Sequence, residues 1–84
     1  MAITALVNVD SAKGSGKITF DAITDGNADE VVSTTIDGER FATTVKGTAA
    51  SIPGSISHTK SGLHTVVLRA ESSNVQSQPL LLDL

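Results

Sequence analysis

Between Gly62 and Glu71 the side chains alternate more cleanly than anywhere else in the chain. His64, Val66, Leu68 and Ala70 fall on one face of an extended segment, with Leu63, Thr65, Val67, Arg69 and Glu71 on the other. Ser61-Gly62 opens the run and Ser72-Ser73-Asn74 closes it, so both ends carry turn-forming residues. A strand of this kind needs neighbours on its edges and a second apolar layer against its inner face. The whole chain must therefore supply more strands.

It does. Ile3–Val9 alternates, with Ile3, Ala5, Val7 and Val9 on one face, and Lys17–Ile23 places Ile18, Phe20 and Ala22 inward. Val31–Ile36 is rich in β-branched residues. The pair Asp37-Gly38 then signals a type I′ hairpin, whose two central positions both need φ > 0. Glu39–Lys46 returns with Phe41, Thr43 and Val45 on one side. Ala49–His58 reads as a broken strand, because Pro53 cannot donate to a ladder and belongs at an edge or a bend. Val75–Leu84 closes the chain, with Leu80, Leu82 and Leu84 on one face, Leu81 on the other and Pro79 interrupting its pairing early. About seven strands at this spacing define an all-β sandwich, and residues 1–84 form one domain. No helical periodicity and no tandem repeat competes with that reading.

Composition narrows the partners. The chain carries a net charge of −3, its six basic residues are scattered, and it has two Phe but no Trp or Tyr. Nucleic acid is not an expected partner, since phosphate binding needs clustered cations and base stacking needs aromatic rings. The absence of cysteine removes disulfides and thiolate sites. No stretch approaches the ~20 apolar residues of a membrane-spanning helix, and the first residues lack the basic start and apolar length of a signal peptide. With Met1 as the natural start the chain reads as a complete, non-exported protein; otherwise it reads as a module of something larger.

Few residues offer chemistry. The Gly/Ser run of Asp10–Gly16 is followed by a strand, so it lacks the helix that makes a phosphate loop an anion site. Asp25, Asn27 and Asp29 match the opening of a calcium loop. However, Glu30 stands where that loop needs glycine, and Ile36 where it needs the closing glutamate. These three are the weak calcium candidate. His64 reads as a corner histidine bonded to a backbone carbonyl, and His58 as a surface-loop residue. The two could share a metal only with a third ligand, which the spacing does not supply. None of Ser51, Ser55, Ser57 or Ser61 sits in a Gly-x-Ser-x-Gly elbow. Neither an enzyme nor a bound cofactor is expected.

Three segments carry a family resemblance: Gly16-Lys17-Ile18-Thr19-Phe20-Asp21-Ala22, Gly62 to Ala70, and Gln78-Pro79-Leu80-Leu81-Leu82-Asp83-Leu84. In that order the chain resembles a small immunoglobulin-like β-sandwich of the bacterial and bacteriophage type, with these as strands B, F and G. His64 stands at the position of that family's corner tyrosine, and the antibody-type Cys and Trp are missing. The resemblance implies a non-catalytic structural or interaction protein, foremost a virion component assembled in the host cytoplasm. A capsid or tail subunit would be its protein partner, in capsid decoration or tail association. The alternatives it implies are a spacer or adhesion module at the bacterial cell surface and an accessory domain that binds a cell-surface glycan. The expected contact surface is the loops Asp10–Gly16, Asp25–Glu30, Asp37-Gly38 and Ser57–Ser61.

Overall fold

The computed structural model describes residues Ala2–Leu84. Nine strands and no helix make up this part of the chain: β1 (Ile3–Asp10), β2 (Lys17–Thr24), β3 (Ala28–Ile36), β4 (Glu39–Gly47), β5 (Ser51–Ser57), β6 (Leu63–Val66), β7 (Arg69–Ala70), β8 (Val75–Gln76) and β9 (Leu80–Asp83). All seven expected stretches are extended, and the last two each divide into a pair. The ladders are antiparallel, in the orders β1-β2-β5, β4-β3-β7-β8 and β6-β9. Their inner faces close around one apolar cluster that draws on both ends of the chain, from Ile3 and Leu6 to Leu82 and Leu84.

Local signals explain the regular parts. Ile18, Phe20 and Ala22 are buried as the alternation of β2 requires. Asp37 and Gly38 take φ of 52° and 78°, the two positive angles of the expected hairpin turn. Pro53 lies within a continuous β5 and causes no break. β5 pairs only with β2, so a missing N–H on its open side leaves no ladder bond unmade.

Three further expectations need correction. Ala28, Asp29 and Glu30 belong to β3 and not to the preceding loop. In β1 the buried side chains are Ile3 and Leu6, while Val7 is exposed. Register shifts between Ile3 and Ala5 and between Val7 and Asp10, with Asn8 at φ 55°, move the alternation out of phase. Third, the strand from Gly62 to Glu71 breaks at Val67-Leu68, and its two halves join different sheets: β6 pairs with β9, and β7 with β3 and β8.

Side chains hold that break. Thr34 Oγ donates to the Val67 carbonyl at 2.9 Å. Ser77 grips Leu68 from both sides, its Oγ accepting the Leu68 N–H and its own N–H bonding the Leu68 carbonyl, each at 2.8 Å. The inner face of β3 thus carries two polar residues with specific work. Thr34 satisfies the broken strand, and the buried Glu30 carboxylate accepts the Ser73 N–H at 2.9 Å and the Ser73 hydroxyl in the turn after β7. Burial opposes the charge on Glu30, but these bonds, helped by the backbone N–H groups of Ile3 and Ala2, outweigh it and hold its pKa below the usual carboxylate range. Isolated, either polar side chain would be a cost to the core. Bonded, they fix the path of the chain.

Candidate functional site

The β6–β9 ribbon alternates over most of its length. His64, Val66 and Leu82 turn toward the core, and Leu63, Thr65, Leu81 and Asp83 turn out, with Leu63 opposite Asp83 and Thr65 opposite Leu81. Leu63 and Leu81 are diagonal neighbours on this outer face and are 66% and 63% exposed. Leu80 was expected inside beside Leu82 and Leu84; it is instead 41% exposed. It lines an apolar groove of about 310 Å³ with Leu6, Val7, Val9 and Gln78, between β9 and β1. Val7, 37% exposed, completes the set.

Single exposed apolar residues mean little, but a gathered set points to a contact surface. Among the described residues the exposed large hydrophobics are Val7, Leu63, Leu80 and Leu81. Two lie in β9, one pairs across from it, and the fourth shares its groove. The strand is also open on one side. Leu84 N–H bonds the Gly62 carbonyl, so the alternate residues Leu81 and Asp83 direct their backbone groups at the unpaired edge of β9. Lys13, in the loop after β1, reaches Asp83 at 3.3 Å on the rim of the outer face.

Thr65 joins this face to a shallow polar depression of about 370 Å³ lined by Ser33, Thr35, Arg40, Arg69, Glu71 and Gln76 among others. Here Arg40 forks onto Glu71, with Nη2 at 3.0 and 2.9 Å from the two carboxylate oxygens, and Ser33 Oγ donates to the same carboxylate at 2.6 Å. The Ser33 bond first, and then Arg40, keep Glu71 below the usual carboxylate range. Arg69 Nη2 donates to the side-chain Oδ1 of Asn74 at 2.8 Å. An ionised carboxylate held between a guanidinium and a hydroxyl positions charge; it has no proton to give. The arrangement suits recognition.

The four expected contact loops separate into two groups. Asp10–Gly16, Asp37-Gly38 and Ser57–Ser61 meet at one end, through His58 N–H to Gly16 O, Gly14 N–H to Leu84 O, and a Lys60–Glu39 ion pair at 3.2 Å. The turn at Asp25–Asn27 lies at the other end of β2, tied to Ala2 and Ala50. Of the calcium candidates, Asp25 and Asn27 are exposed in that turn, and Asp29 sits in β3 opposite Lys46. Among the described residues no group of three or more His, Cys, Asp or Glu side chains could hold a metal ion together.

The histidines divide unexpectedly. His64 is the corner residue foreseen, its Nε2–H donating to the Ser61 carbonyl at 2.8 Å. Its Nδ1 lies 3.9 Å from Asp37. His58 is not a surface residue; it is 7% exposed, its Nδ1 accepts the Lys60 N–H at 3.0 Å, and its ring meets Phe41 edge-on with centroids 6.2 Å apart. Both tie the loop end together, although His58 Nε2 is buried without a hydrogen-bond partner. Replacing His64 with Ala should lower stability by about 0.5–1.5 kcal/mol, the usual net worth of a hydrogen bond at an exposed site, while contacts made through β9 persist. Thermal melting and a binding assay on one sample check this; lost binding with unchanged melting would reverse the assignment.

Comparison with protein-family models, with curated proteins and with solved structures finds no match for this chain. The structure defines an all-β domain of sandwich type whose exposed large hydrophobics lie in and around β9.

Proposed function

We propose that this domain is a non-catalytic interaction module that docks onto a protein partner through the apolar surface around β9. The exposure of Leu63 and Leu81 on the outer face of the ribbon, with Leu80 and Val7 in the groove beside the open edge of β9, is the observation that supports it. Interface centres favour well-packed apolar anchors ringed by polar groups. Here the anchors are leucines, and the ring is Lys13, Asp83, Thr65 and the Arg40–Glu71 fork. The docking element is a strand and its neighbours, where the sequence pointed to loops.

The immunoglobulin-like resemblance supplies the proposed setting: a bacteriophage virion, with the domain decorating the capsid or attached to the tail and a capsid or tail subunit beneath the β9 face. Cosedimentation with purified capsids and tails tests this. The wild-type domain should pellet with one of them. Leu63→Ser/Leu81→Ser should lose binding at least tenfold while melting as a folded protein, because both side chains are already exposed. Equal binding by the variant, or no binding by the wild type, would overturn the reading.

A further inference from the structure

We infer that the docked partner adds an extended segment of its own chain to the free edge of β9, as a third strand beside the β6–β9 ribbon. The inference rests on the reading of the surface around β9 as the docking site and names the element that enters it. The edge is open by register. Leu84 N–H bonds the Gly62 carbonyl, so the pairs His64–Leu82 and Val66–Leu80 exchange the ladder bonds of the ribbon. Leu81 and Asp83 are left with both backbone groups turned away from β6, and among the described residues no other group bonds them. An apolar face accepts any apolar cover, but unpaired N–H and C=O groups at strand spacing select another strand.

The groove beside the edge gives that strand a place. Leu6, Val7, Asn8 and Val9 border it, four consecutive residues of β1, which only a strand edge presents together. β1 pairs with β2 alone, so its other edge is free, and Leu80 and Gln78 stand across the groove. Side chains of an added strand alternate about its plane. Those on the inner side enter a groove with no charged lining residue and are therefore uncharged, since a charge there would lose water without gaining a partner. On the outer side an apolar residue suits the position beside Leu81, and a polar one the position beside Asp83 and Lys13. Pro79 falls at the next outward position and offers no N–H, so pairing stops there. The occupant is a short extended segment of the partner protein, apolar toward the groove.

The test uses whichever purified assembly, capsid or tail, pellets the wild-type domain, and compares Asp83→Pro with Asp83→Ala in the same cosedimentation. Both variants lose the carboxylate and its exposed ion pair with Lys13, and only the proline also loses the outward N–H. That N–H takes no part in the pairing with β6, so the two should melt alike. Asp83→Ala should bind within about threefold of the wild type, because an exposed ion pair contributes little. Asp83→Pro should bind roughly tenfold or more weakly, because an acceptor of the added strand is left without its donor. Quenched hydrogen exchange on the bound wild-type domain gives a second readout that needs no variant to fold. The Leu81 and Asp83 amides, open at the edge of the free domain, should become protected. Equal binding by the two variants, or amides that exchange as freely in the complex as alone, would overturn strand addition and leave docking through Leu63 and Leu81 in place. A wild type that pellets with neither assembly removes both readings.

Discussion

Replacing Glu30 with alanine should destabilise the domain by about 2–3 kcal/mol, because the Ser73 N–H and hydroxyl lose their acceptor at a site where Glu30 is 5% exposed. The same carboxylate sets an acid limit. Its folded pKa lies below the 4.5 it would have when unfolded, so its contribution is fully present above that value and disappears as pH falls through the folded one. Glu71 acts in the same direction from the surface, with Ser33 and Arg40 as the causes. Melting temperature should hold steady from neutrality to about pH 5 and fall below it. Glu30→Gln, which keeps the shape without the charge, should melt lower at pH 7 and show a shallower acid decline. Parallel declines in wild type and variant would show that other carboxylates set the acid limit.

The second large effect is expected at Gly54. In the β2–β5 ladder it lies opposite Phe20, whose ring covers it so closely that a Cβ would stand 2.3 Å from Cζ. Phe20 is buried in the core and has little freedom to withdraw. Gly54→Ala should therefore cost about 3 kcal/mol through overpacking, and Gly54→Val more. Phe20→Leu opens room at its own cost, so the double variant Phe20→Leu/Gly54→Ala should lose less than the sum of the singles. Strict additivity in chemical denaturation would show that the ring moves aside without penalty.

The contrast between these residues shows what the sequence could reveal. The inward set of β2 and the hairpin at Asp37-Gly38 are local properties, written in a two-residue period and in a pair able to take positive φ. That Phe20 faces Gly54 is a matter of register between strands more than thirty residues apart, which alternation alone does not encode. The phase of β1 was hidden by Asn8, an irregularity that a polar residue accommodates without advertising it. His58 looked like a loop residue because its burial comes from Phe41 of another strand.

The candidate site was half visible. Leu63 and Leu81 fall on outward positions by simple counting, yet only the pairing of β6 with β9 sets them side by side. By alternation Leu80 shares a face with Leu82 and Leu84, and Val7 with Ile3, and the opening between β1 and β9 that exposes both is a gap that no single strand predicts. The aspartates drew attention by spacing, and the chain then continued into β3 and gave Asp29 a place opposite Lys46.

The divided strand has a dynamic consequence. The β6–β9 ribbon ends at Val67-Leu68 on one side and at Pro79 on the other, so no ladder continues from it into the remaining sheets. Its attachment is by buried Val66, Leu82 and Leu84 and by single bonds such as Gly14 N–H to Leu84 O. Two-stranded ribbons have little stability of their own. Amide protons of the ribbon are therefore expected to exchange with solvent sooner than those of β2 and β3, which hydrogen exchange would check. A partner seated on Leu63 and Leu81 would slow that exchange by tying the two strands of the ribbon together.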